Sequence, residues 1–214
     1  MHPLRMLAKI MEKAAPGPGL TFLEAHVMKA LELIGDEKTV GRIRLAGELK
    51  IGEGAVRTLL RHMKNLGLIK RTRRGNSLTD RGKELYDFIK TWTAGPVEVP
   101  KSPLFLGKYN AGVLVKKAAG AVRYGLEQRD AALKAGALGA TTLIYRKGVY
   151  IMPGGGEENC LEGFPEIRRR LEDGLHPKEG DVIIIGSADR EKAAELGAKA
   201  AGLETLKQLH LGKL

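Results

Sequence analysis

Cysteine is nearly absent: Cys160 is the only one in 214 residues. A single thiol excludes an intrachain disulfide and a cysteine-rich zinc site, and it favours a reducing, cytoplasmic setting. Aromatic residues make up only 5 %, so the cores must be built from Leu, Ile, Val, Ala and Met. No apolar run approaches the ~20 residues needed to cross a bilayer, so no membrane partner is expected. The N-terminal HPLRMLAKIMEKAAPGPG is too short and too charged for a signal peptide. Asn and Gln are scarce beside Lys and Glu, a thermophile-like balance. The histidines, His2, His26, His62, His176 and His210, show no metal-ligand spacing. No nucleophile triad or acid/base pair is visible either, so neither an enzyme nor a cofactor is expected.

What the chain does have is concentrated positive charge. Between Lys38 and Lys83 stand thirteen Lys/Arg against three acids, Glu48, Glu53 and Asp80, which accounts for ten of the chain's net +11. Charge packed into 46 residues forms a patch. Binding to the phosphate line of double-stranded DNA releases counterions, and a concentrated basic surface is what that requires. Residues 96–214 carry 18 basic and 15 acidic side chains, so the charge pattern changes along the chain.

Apolar spacing predicts helices over 3–14, stopping at Pro16-Gly17-Pro18-Gly19, and from a Thr21 cap (with Glu24 as its capping-box partner) to Gly35. A short helix over about 41–49 would bury Ile43, Leu45, Ala46 and Leu49. After the turn at Ile51-Gly52, a helix over about 53–66 would bury Val56, Leu59, Leu60 and Met63. Leu68–Arg73 and the segment from Ser77 read as a hairpin around Arg74-Gly75-Asn76, and Thr79 caps a further helix. The stretch Ala94–Pro103 holds three prolines and reads as a break. This gives a domain over 1–95, a linker over 96–103 and a second domain over 104–214. That domain shows strands at 111–117, 141–145, 149–152 and 182–185 and helices at 122–138, 165–171 and 188–201. The fold class expected is α+β: a winged helix followed by a two-layer α/β sandwich with helices on one side of the sheet, of split βαβ (ferredoxin-like) order, or of ββαββα order if 104–107 adds a strand.

The segments RLAGEL (44–49), AVRTLLRHMKNLGLIKR (55–71) and SLTDRG (77–82) together resemble the winged helix-turn-helix transcription regulators. The layout resembles archaeal regulator-like proteins that join such a domain to a C-terminal domain of unassigned function. The resemblance covers about a fifth of the chain. It implies DNA binding for the first half and little chemistry for the second.

On that reading Arg57, Thr58, Arg61, His62, Lys64 and Asn65 on the second helix of the pair face DNA, since Arg, Asn and Thr can read base edges. Arg71, Arg73, Arg74 and Asn76 on the hairpin, with Arg42 and Arg44 at the start of the preceding helix, meet the backbone. The plainer alternative is a solvated basic face of a protein-binding winged helix. In the second domain Gly154, Gly155 and Gly156 follow a strand, and Gly186 and Ser187 stand between a strand and a helix start. Both places could hold an anionic effector, and both could be simple turns and caps. Cys160 reads as a packing residue. The partners expected are double-stranded DNA, a second copy of the chain in a homodimer, and a small-molecule effector. The competing readings are an enzyme with a fused winged helix, a protein scaffold and an RNA binder. Archaeal riboflavin kinases share the enzyme layout, but their Pro-Gly-Thr-Leu-Asn-type motif is missing here. The RNA binder lacks the expected aromatic stacking motifs.

Overall fold

The computed structural model describes residues 2–12 and 19–212. The expected helix stop at Pro16–Pro18 lies outside them. The chain divides into two compact units, Met1–Thr91 and Trp92–Leu214.

The first unit contains helices α1 (Pro3–Met11), α2 (Glu24–Glu37), α3 (Arg42–Leu49) and α4 (Glu53–Asn65). A hairpin of β1 (Ile69–Thr72) and β2 (Gly75–Leu78) follows, and then α5 (Asp80–Trp92) begins. The expected order of helix, short turn, helix and hairpin is present. Its core is aliphatic. Leu4, Leu7 and Ile10 of α1, Val27, Leu31 and Ile34 of α2, and Val56, Leu59 and Met63 of α4 are all fully buried, each set at helical spacing.

Three local expectations are corrected. Thr21 does not cap α2. Instead the ring Nδ1 of His26 accepts the Leu23 N–H at 2.9 Å, the same reach-back a capping-box residue makes. Gly35 does not end α2; it lies within the helix because the Tyr86 ring packs where its Cβ would stand. Ile43 is not buried but 75 % exposed, since it lies off the Leu45–Leu49 face. At the other end of the hairpin Thr79 caps α5 as expected, accepting the Gly82 N–H at 3.1 Å.

The second unit carries a five-stranded sheet in the order β3-β4-β7-β5-β6, antiparallel at every pairing. Its strands are β3 (Thr93–Val99), β4 (Tyr109–Val115), β5 (Gly139–Arg146), β6 (Val149–Ile151) and β7 (Val182–Ala188). Its helices are α6 (Leu126–Lys134), α7 (Pro165–Leu175) and α8 (Glu191–Leu211). The class is α+β, as expected. The split βαβ element is there too: β4 and β5 run parallel to one another with β7 antiparallel between them.

Helices cover both faces of this sheet, where one covered face was expected. Leu114, Ile183 and Ile185 pack with Ile167, Leu171 and Leu175 of α7. On the opposite face Gly186 abuts Ala194 and Ala198 of α8, and Val113 and Val115 meet Gly202. The continuous runs Val113-Leu114-Val115 and Val182–Ile185 have no polar alternation, and that pattern belongs to strands buried on both sides. The expected helix over 122–138 is shorter, because Gly125 takes a positive φ of 76° and α6 starts only after it.

The expected linker over 96–103 is also corrected. Residues up to Val99 belong to β3, the edge strand of the sheet, and the extra strand lies there and not at 104–107. Prolines are tolerated on an edge, where a missing N–H breaks no ladder. The register shift between Ala94 and Val97 takes up Gly95-Pro96.

Candidate nucleic-acid interface

The basic segment folds into a cleft of about 600 Å³ bounded by the start of α3, one face of α4 and the hairpin. Helix α4 supplies Arg57, Arg61 and Lys64, which fall at i, i+4 and i+7 and so share one face. Its other face carries Val56, Leu59 and Met63 into the core, and this fixes how the helix is turned. The hairpin supplies Arg71, Arg73 and Arg74, and α3 supplies Arg42 and Arg44. The floor is apolar, with Ile43, Leu60 and Ile69 lining it between the cations.

The cations differ in how free they are. Arg42 pairs with Glu53 at 3.1 Å. Arg44 is held by Glu48 at 2.8 Å and Glu37 at 3.2 Å. Among the described residues no carboxylate is ion-paired with Arg57, Arg61, Lys64, Arg71, Arg73 or Arg74. Unpaired cations around a shared cleft repel one another, and a polyanion relieves that repulsion.

The hairpin is fixed to the rest of the unit by Val40. Asn76 and Val40 form an isolated antiparallel bridge, and Asn76 Nδ2 donates a further bond to the Val40 carbonyl at 3.2 Å. Within the turn, Thr72 Oγ1 donates to the Gly75 carbonyl at 3.1 Å. The hairpin arginines are therefore carried on a braced ribbon.

The structure brings nine of the expected interface residues to the cleft: Arg42, Arg44, Arg57, Arg61, Lys64, Arg71, Arg73, Arg74 and Asn76. The amide of Asn76 is engaged with Val40, so this residue braces the wall and does not present a free donor. Thr58, His62 and Asn65 do not line the cleft. Thr58 turns its hydroxyl back to the Gly54 carbonyl at 3.2 Å. His62 Nδ1 donates to the Ile10 carbonyl at 2.6 Å, and its ring meets Phe22 edge-on at 6.2 Å. His62 ties α4 to its neighbours, while Thr58 bonds back within α4 itself. Their positions at i+1 from Arg57 and Arg61 put them about 100° around the helix, and only the core contacts could show which side that is. Ile43, Leu60, Ile69 and Thr72 were missed as lining residues. Ile43 was detectable, because it falls between the arginines and off the Leu45–Leu49 stripe.

The two glycine-bearing sites proposed for an anion stand differently. Gly154, Gly155 and Gly156 form an exposed turn after β6, with Gly155 N–H bonded to the Met152 carbonyl at 3.1 Å. Gly186 and Ser187 do not stand at a helix start. They lie inside β7, where Ser187 pairs with Asn110 and Gly139 and is 2 % exposed. The strand runs on to Ala188, so their backbone groups serve the sheet ladder. Cys160 donates its thiol to the Tyr150 carbonyl at 3.1 Å, and burial pushes its pKa up, away from nucleophilic thiolate character.

Comparison with known proteins divides the chain in the same way. Residues 29–84 match the family model described as PH0730-like, N-terminal domain. Residues 106–206 match a domain of unknown function, DUF4443. Among solved structures the chain is similar to the hypothetical protein PH0730 from Pyrococcus horikoshii OT3. The two are 26 % identical, the match covers 87 % of this chain and 94 % of that one, and the TM-score is 0.68. An IclR family transcriptional regulator from Brucella abortus aligns over 94 % of this chain and 97 % of its own at 13 % identity and a TM-score of 0.30. That score is too low to carry a likeness of fold. No curated protein matches. Among the described residues no helix is long and apolar enough to cross a membrane.

Proposed function

We propose that this protein is a DNA-binding transcription regulator. Its first unit acts as a winged helix, with α4 entering the major groove and the β1–β2 hairpin following the phosphates. Its second unit serves as an effector-binding or dimerising domain. One observation carries this reading: six cations that have no acidic partner among the described residues converge on one cleft between a helix face and a hairpin. A solvated basic face would be expected to interleave acids. Here Glu48 on α3 and Glu53 at the start of α4 stand against Arg44 and Arg42, and the segment's third acid, Asp80, stands against Lys83.

Arg57 and Arg61 are assigned to base edges, where a guanidinium can span both acceptors of guanine. Lys64, Arg71, Arg73 and Arg74 are assigned to phosphates. A single small module reads a short half-site, so a homodimer is the expected form on an operator. No catalytic role and no cofactor are assigned.

The test is fluorescence anisotropy of the full-length protein with genomic double-stranded DNA fragments across a salt series. A steep salt dependence, with some fragments retained far longer than others, is expected. Absence of binding at low salt would transfer the basic cleft to a protein partner.

A further inference from the structure

A second cleft, of about 450 Å³, lies wholly within the second unit, between the β3–β4 edge of the sheet and the first turn of α8. Its floor is small and apolar at Ala111 and Ala194. Glu98 stands opposite Ala111 in the sheet register, so the two share a face. Around the rim stand Lys101, Lys108 and Lys192 together with Glu98, Glu191 and Glu195.

The pairing of these charges is uneven. Lys192 and Glu195 bond each other at 3.4 Å along α8, and the Glu195 side chain is only 15 % exposed. The other four line the same cavity, yet none of them is ion-paired with a described residue. Lys108 lies over the Tyr109 ring, 5.4 Å from its centroid, which holds the ammonium at the rim. At the mouth of α8 the cap residue Arg190 offers no side-chain acceptor to the first-turn N–H groups. Opposite charges that share a small cavity without closing on each other leave a gap, and a molecule bearing both signs would fill it.

We propose that this cleft binds a small zwitterion, a molecule with a carboxylate and an ammonium group on one short frame, of the α-amino acid class. The carboxylate is taken by Lys101 and Lys108 and the open N-terminal turn of α8. The ammonium is taken by Glu98 and Glu191. The volume leaves room for a side chain against Tyr109 and the alanine floor. A purely anionic ligand would face the two unpaired glutamates, and a purely cationic one the two unpaired lysines.

The test uses the full-length protein and the twenty standard L-amino acids, each presented singly while the thermal midpoint is followed. Acetate and methylamine serve as single-charge probes at the same concentration. At least one amino acid should raise the midpoint in a dose-dependent way, with no comparable shift from either single-charge probe. Glu98→Gln and Lys108→Gln should each weaken binding of that amino acid by about tenfold or more. Both positions are exposed, so the variants fold. No shift with any amino acid overturns the proposal, as does a shift that acetate reproduces or one unchanged in both variants. This site does not rest on the DNA-binding reading. A chain that binds an amino acid but no DNA would lose the regulator role and keep the site.

Discussion

Val40 and Asn76 exchange backbone hydrogen bonds at 2.9 and 3.0 Å, which joins the hairpin to the segment just ahead of α3. Gly75 sits beside this bridge at a φ of 141°, and a Cβ there would stand 2.6 Å from the Val40 carbonyl oxygen. No side chain fits without breaking the bridge. Gly75→Ala should therefore cost about 1–2 kcal/mol of stability from backbone conformation alone, with the clash adding to it. DNA affinity should fall as well, because the hairpin arginines lose their placement. Asn76→Ala removes one bond and should cost only about 1 kcal/mol. Chemical denaturation of the two variants, read beside anisotropy, separates these outcomes.

Four cleft cations, Lys64, Arg71, Arg73 and Arg74, are assigned to phosphates, and each phosphate neutralised contributes about 0.9 to the slope of log K against log salt. A bound protomer should then show a slope of about −4. Arg73→Ala should reduce it by about one, uniformly across sequences, while Arg57→Ala should change the sequence preference and leave the slope nearly unchanged. His62→Ala should leave the slope unchanged and lower stability, since its ring is bonded to Ile10 and packed on Phe22. Replacing both partners of Arg44, Glu48→Gln with Glu37→Gln, should steepen the slope, because it frees a further cation at the cleft.

The parts of the fold set by local spacing were legible from the residues. Helices α3 and α4 and the hairpin, Thr79 as a cap, and the basic segment as one surface all follow from 3.6-residue periodicity, turn chemistry and charge. The parts set by tertiary contact were not. His62 and Arg61 are adjacent, polar and on the same helix, and only the approach of Ile10 and Phe22 distinguishes anchor from ligand contact. Pro96 read as a break because its suitability for an edge strand depends on a neighbour, β4, that spacing does not reveal. Gly186 and Ser187 read as lying between a strand and a helix start because the strand expected over 182–185 runs on to Ala188. The runs at 113–115 and 182–185 did carry the second covered face of the sheet in their lack of alternation.

The contact between β7 and α8 depends on small residues. A Cβ on Gly186 would meet the Ala194 carbonyl and the Ala198 backbone on α8, neither of which can rotate away. Gly186→Ala should push α8 off the sheet and destabilise the second unit by about 1–3 kcal/mol. At Gly202 the same change meets side chains and no backbone, Val113 at 3.1 Å and Val115 at 3.8 Å, so Gly202→Ala should cost less. Thermal unfolding of the two variants should rank them in that order. The reverse order would show that α8 is held elsewhere along its length.

His26 makes the stability of the first unit depend on pH. Its ring nitrogen must be unprotonated to accept the Leu23 N–H. Burial, and then the charge of Lys29, lower its pKa below the usual 6.5. In the unfolded chain the imidazole takes a proton near pH 6.5, while in the folded chain it resists until lower pH. Between those two values the unfolded state binds more protons, so stability falls as pH drops through 6.5 toward the folded pKa. It is fully present above 6.5 and stops falling below the folded value. His26→Gln keeps an acceptor at the same capping position without a titrating group, and should flatten this dependence between pH 5 and 7 at little cost at pH 8. His26→Ala should lose about 1 kcal/mol above pH 6.5, and its deficit against wild type should narrow as pH falls. Melting curves of the three proteins across that range decide it: an equal acid slope in wild type and His26→Gln would assign the dependence to another group.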